Sequence, residues 1–126
     1  MFKIKRIYME KAQDDGKRYL VDRIWPRGLR KEKAGVDEWL KDVAPSNALR
    51  AWFHHDPDRW KEFQERYREE LTDPERLSLV QRLRDEAKYS NVTLLFSAKD
   101  LEHNNAISLK SILEDQSFPL SLAMPG

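Results

Sequence analysis

The chain has 126 residues and no cysteine, which excludes disulfides, zinc–thiolate sites and a thiol nucleophile. Its 23 Lys+Arg and 22 Asp+Glu nearly cancel, so it lacks the domain-wide positive field of a dedicated duplex binder, although a local basic patch stays open. One domain with a self-sufficient core is expected at this length, and four Trp, five Phe and four Tyr supply the rings to fill it.

Phe2 to Tyr8 mixes β-branched and aromatic residues with partial alternation and reads as a first strand. The segment lacks the apolar core of a secretory signal, and no apolar run approaches the roughly 20 residues of a bilayer span. A cytoplasmic protein with no membrane partner is the expectation. Gln13-Asp14-Asp15-Gly16 is turn chemistry, and Tyr19 to Ile24 reads as the second strand. The link between these strands is short for a helical crossover, which leaves a hairpin and a parallel pair both open. Pro26 and Gly28 end the second strand, and Arg30 to Gly35 reads as an exposed loop.

The middle of the chain is expected to be helical. Trp39, Leu40 and Val43 fall at helical spacing within Asp37 to Val43, and Pro45 closes that segment. Ser46 is placed to cap a helix whose Leu49, Trp52 and Phe53 share a face. Asp56-Pro57 and Asp73-Pro74 are start signals, each a capping carboxylate followed by proline at the first helical position. The helices they open carry Trp60, Phe63, Tyr67 and Leu71, then Leu77, Val80, Leu83 and Ala87, as apolar stripes. Val92 to Phe96 is apolar without alternation, which suits a central strand covered on both faces. A final helix from near Glu102 to Glu114 buries Ala106, Leu109, Ile112 and Leu113. Residues 116–126 read as a tail packed through Phe118 and Leu120, after a single domain over 1–115. The predicted class is α/β: one small, mainly parallel or mixed sheet with flanking helices in a Rossmann-like three-layer arrangement.

Two strands end abruptly in polar residues, and in open α/β sheets ligands bind outside the carboxyl ends of strands. Asp22, Arg23 and Arg27 follow one strand; Ser97, Lys99 and Asp100 follow the other, with His103 and Asn104 near the last helix. Arg27 and Gly28 suit an anion clamp, since glycine lets backbone approach and guanidinium offers bidentate bonds to phosphate or carboxylate. Asp22, Arg23 and His103 are the catalytic candidates; Arg27, Gly28, Ser97, Lys99, Asp100 and Asn104 are the ligand-binding ones. Each has a plainer reading: an Asp22–Arg23 ion pair, a packed Trp25-Pro26 corner, or Asp100 as the cap of the last helix. His54-His55-Asp56 suggests metal, but neighbouring helical residues point about 100° apart, and a helix end accounts for the trio better. No metal or cofactor is indicated, and no Walker loop, nucleophile elbow or dinucleotide fingerprint is present.

Three stretches also carry a resemblance. They are Val21-Asp22-Arg23-Ile24-Trp25-Pro26-Arg27-Gly28, the run from Ala44-Pro45-Ser46 through Trp52-Phe53-His54-His55-Asp56-Pro57, and Thr93-Leu94-Leu95-Phe96-Ser97-Ala98-Lys99-Asp100 with His103-Asn104. In these the chain resembles the YeaO-like family of uncharacterised bacterial and archaeal proteins, over nearly its whole length up to the tail. The resemblance implies an α/β domain and very little biochemistry. It also implies that distant relatives carry Cys where Ser97 stands, so no thiol mechanism transfers. Close relatives are similar but carry His at the position of Asn105, which argues against a catalytic role there.

The reading that follows is a strand-end crevice for an anionic or nucleotide-like ligand, with hydrolase and transferase chemistry open to it. The rival is a non-enzymatic nucleic-acid or protein binding module using the aromatic helices and the basic residues near Arg27, Arg30, Lys31 and Lys33, although Glu32 among them favours a solvated loop. A third is a metal-assisted hydrolase recruiting His55 and His103. Oligomeric state is not legible from the sequence.

Overall fold

The computed structural model describes residues 1–119. Four strands, β1 (Phe2–Arg6), β2 (Lys17–Leu20), β3 (Glu38–Trp39) and β4 (Val92–Phe96), form one sheet in the order β1-β4-β2-β3. All pairings are parallel, with Phe2 opposite Val92, Lys17 opposite Val92, and Tyr19 opposite Glu38. The first two strands are therefore parallel but not adjacent, because β4 lies between them. Gly16 permits the short link. Its φ is 65°, and a Cβ there would stand 1.9 Å from the Asn91 carbonyl oxygen.

Five helices follow: α1 (Lys31–Ala34), α2 (Asn47–Phe53), α3 (Trp60–Glu70), α4 (Pro74–Ala87) and α5 (Asn105–Glu114). Strand alternation sends Phe2, Ile4, Tyr19, Val21, Val92, Leu94 and Phe96 to one face, where they pack with α2 to α5 in the main core. The opposite face is thinner. Ile7, Leu20 and Leu95 meet Ala34 of α1 and the loop residues Trp25, Leu29 and Val36. Helical cover is thus heavy on one face and reduced to a single turn on the other.

The helix starts follow local chemistry. Ser46 Oγ accepts from Leu49 N at 3.1 Å, Asp56 accepts from Asp58 N at 3.0 Å, and Asp73 accepts from Arg76 N at 3.4 Å. Pro57 begins a 3-10 turn that runs into α3, and Pro74 begins α4. Phe118 is buried in the main core, and Arg84 donates to the carbonyls of Ile112, Leu113, Asp115 and Phe118, tying the end of α5 to α4. Leu120 lies outside the described residues.

Four expectations change. The segment read as a helix over Asp37 to Val43 is strand β3 followed by a 3-10 turn at Lys41–Val43. Leu20 O accepts from Leu40 N at 2.9 Å, so the free edge of β2 captures a sequence whose apolar spacing imitates a helix. Arg30 to Gly35 holds the one-turn α1, closed by Gly35 at φ 62° and anchored by buried Ala34. The first two strands stop early, at Arg6 and Leu20. The last helix starts at Asn105, capped by Asn104 instead of Asp100; Asn104 Oδ1 accepts from Ile107 N at 2.9 Å.

Candidate functional site

The carboxyl ends of β2 and β4 open onto a cavity of about 660 Å³. Asp22, Arg23 and Arg27 line it from the segment after β2, Ser97 from the end of β4, and His103 and Asn104 from the approach to α5. Strand ends that point the same way bring these two sequence-distant groups together. Gly28, Lys99 and Asp100 do not line the cavity. Gly28 has φ 78° with nothing within 4 Å of a built Cβ, so it serves a turn and not a close backbone approach.

Asp22 forms the floor of the site's polar network. Its carboxylate accepts from Ser97 N at 2.9 Å, from Ser97 Oγ at 2.8 Å and from Asn105 Nδ2 at 3.1 Å. Asn105 Nδ2 also donates to Val21 O at 2.8 Å. Burial pushes the Asp22 carboxyl above its ordinary range, while the Ser97 and Asn105 hydrogen bonds and the Arg50 charge pull it back down. Asp22 thus takes its hydrogen bonds from Ser97 and from the Asn105 side chain at the start of the last helix, and from no arginine.

Arg23 does not pair with Asp22. Its Nε and one terminal nitrogen donate to Pro45 O and Ala44 O at 2.9 and 3.1 Å, pinning the chain before α2 against the strand end. Asn104 is buried and its amide is spent on capping and on Asp100 O. Asp100 accepts from the backbone of Glu102 and His103, which holds its carboxyl below the ordinary range, and meets His103 Nδ1 at 3.0 Å. The His103 ring stands edge-on to Trp60, with centroids 5.4 Å apart. Its orientation is therefore set by two partners.

Two lining groups are less committed, Arg50 donating only to Asn47 Oδ1 at 3.3 Å. Among the described residues Arg27 and Arg50 form no ion pair, whereas Arg59, Arg66, Arg68, Arg76 and Arg82 each meet a carboxylate. Both are exposed at the cavity, where Asp22 is the one lining carboxylate. Next to Arg50, α2 ends in a turn with an uncommon backbone. His54 has φ 45° and His55 φ 54°, and Asp56 N donates to Phe53 O at 2.9 Å across them. Two consecutive left-handed residues closing such a bond are the geometry that Asn-Gly or Gly-Gly normally occupies. A bulky L-residue there costs on the order of 1 kcal/mol or more. No group of three or more His, Asp or Glu among the described residues is arranged to hold a metal ion.

The sequence did not mark Arg50, and the resemblance spoke only against a catalytic role for Asn105. Arg50 sits in an amphipathic helix with nothing local to distinguish it, and Asn105 acquires its role from Val21 and Asp22, more than 80 residues away.

The comparisons with known proteins point one way. A family described as the inactive DUF488-N3 subclade matches over residues 1–119. An uncharacterized protein of Mycobacterium tuberculosis is 47% identical over 91 residues, covering 72% of this chain and 77% of its own. The uncharacterized protein YeaO of Escherichia coli is 44% identical over 105 residues, covering 83% of this chain and 90% of its own. No solved structure matches the chain.

Proposed function

The chain belongs to the inactive DUF488-N3 subclade, and from that premise we propose that it is a small binding module whose strand-end cavity takes an anionic, phosphate-bearing ligand without turning it over. The observation that carries this reading is the pair Arg27 and Arg50, two exposed guanidinium groups facing a cavity whose single carboxylate is already occupied. Guanidinium groups outside any ion pair are suited to phosphate, which they bind bidentately; Arg50 has only the neutral Asn47 Oδ1 as acceptor, at 3.3 Å. A cavity of about 660 Å³ lies within the range of sites that enclose a nucleotide-sized molecule. The subclade's description as inactive favours binding over turnover.

A second reading rests on the Ser97–Asp22 contact. A hydroxyl donating to a carboxylate with a raised pKa is an arrangement that general-base chemistry uses, and it keeps a hydrolase or transferase in play. Calorimetry with inorganic phosphate and nucleoside monophosphates separates the two. The binding module predicts saturable binding, weakened about tenfold or more by Arg27→Ala or Arg50→Ala, with ligand recovered intact. Consumption of the ligand that disappears in Ser97→Ala would replace this reading with the enzymatic one.

A further inference from the structure

The two histidines that follow α2 occupy a position their own turn does not call for. The turn's backbone bonds are His54 N to Arg50 O at 3.0 Å and Asp56 N to Phe53 O at 2.9 Å, and neither involves an imidazole. No hydrogen bond to either ring nitrogen pair occurs among the described residues, and the His55 ring touches the core only obliquely, 6.2 Å from the Phe53 ring. Glycine or asparagine would close the same turn with less strain. Two bulky side chains are nevertheless held left-handed at the rim, and both line the cavity beside Arg50.

We infer that the His54–His55 turn is a ligand-holding element of this cavity, in which the left-handed backbone aims both imidazoles at the phosphate group that Arg27 and Arg50 attract. The inference rests on the anion-binding reading above and adds to it the residues that would set specificity. The ligand class is a phosphate monoester, because its oxygens can accept from several donors arriving from different directions. Arg50 and the turn come from one side of the cavity, and Arg27 comes from the segment after β2. His103 lines the cavity too, but its Nδ1 is engaged by Asp100. Backbone strain that persists beside a cavity without serving the local fold marks a functional position.

The test uses the full chain with His54→Gly, His55→Gly, the corresponding Asn variants and the double Gly variant. Thermal unfolding and calorimetric titration with adenosine monophosphate and inorganic phosphate are measured on each. Relief of the left-handed strain should raise Tm by about 2–8 °C, and more in the double variant. Affinity for the monophosphate should fall about tenfold or more in the same proteins. Higher Tm with affinity within twofold of wild type would reduce the turn to a strained helix end and overturn the inference alone. Lost affinity without any gain in Tm would overturn the claim that strain is retained for the contact. If wild type binds neither probe while retaining its cooperative unfolding, the anion-binding reading fails and this inference falls with it.

Discussion

Two aspartates lie against the sheet, Asp15 buried and Asp22 half-buried, and their surroundings differ in kind. Asp15, on the helix-poor face near the amino end of β2, is ringed by cations: Lys3 at 3.1 Å, Lys5 at 2.8 Å and Arg18 at 2.6 Å, with Ala12 N donating at 3.0 Å. Burial pushes its carboxyl up, and those four partners more than reverse the effect, holding it well below the ordinary range. Arg18 is itself fully buried and spends its remaining donors on the carbonyls of Met9, Ala34 and Gly35. Asp22, at the carboxyl end of the same strand, has only neutral donors, and there burial wins. One end of the sheet is closed by a buried carboxylate that three cations compensate. The other keeps an under-compensated carboxylate beside a cavity with spare cations. A fold of this size can be electrostatically closed at one end of its sheet and unfinished where its cavity opens.

The largest effect should come from breaking the closed end. Asp15→Ala strands Arg18 in the interior, and loss of one member of a buried charge cluster costs about 3–5 kcal/mol. Urea denaturation of the variant would show it as a shift in midpoint; an unchanged midpoint would mean that the cluster contributes no stability. Asp22→Ala should cost less, about 1–3 kcal/mol, because the donors it frees are neutral and Asn105 Nδ2 keeps Val21 O as an acceptor. A larger loss for Asp22 than for Asp15 would invert the comparison. Ser97→Ala removes one hydroxyl bond and should cost about 0.5–1.5 kcal/mol. Its backbone N–H still reaches Asp22, so a loss comparable to Asp22→Ala would show that the hydroxyl dominates the network.

The finest test is the sign of the pH dependence. Asp15 has a folded pKa below its unfolded value of 3.8, so its stabilisation is complete above that value and is lost as pH falls below it. Asp22 has a folded pKa above 3.8, so its ionisation weakens the fold as pH rises through the window from 3.8 to the folded value. Stability-versus-pH curves should therefore lose an upward slope in acid in Asp15→Asn and lose a downward slope just above pH 3.8 in Asp22→Asn. Identical changes in the two variants would erase the distinction between the ends.

The sequence made local features legible and long-range ones obscure. Ser46, Asp56-Pro57 and Asp73-Pro74 announce helices because a cap and its N–H partners lie within three residues of each other. The central character of β4 showed in its unbroken apolar run, all five residues of which are buried. Strand β3 misled because Trp39 and Leu40 fit a helical period, and only the edge of β2 decides otherwise. At the site, strand ends that turn polar were enough to bring Asp22 and Ser97 together in advance. Nothing near Arg18 in the sequence marks it, since its burial depends on Met9 and Asp15 from the β1–β2 connection meeting Gly35 from the β2–β3 connection. The His54–His55 turn was invisible, because nothing in those letters says that both residues are left-handed.

The strand order also bears on how the chain reaches this state. Strand β4 begins at residue 92, yet both β1 and β2 pair with it and not with each other. A chain synthesised only as far as residue 88 holds three strands and four helices, but its sole ladder is the two-residue pairing of β2 with β3. Every other ladder must wait for contacts that span about 75 to 90 residues, the kind that slow folding and leave strand edges unpaired meanwhile. A 1–88 fragment is expected to show no cooperative unfolding transition and to be cleaved rapidly by protease, with protection appearing only when 89–119 is restored. The residue run that closes the cavity floor is thus also the last piece of the sheet to arrive, so the cavity and the fold are completed in the same step.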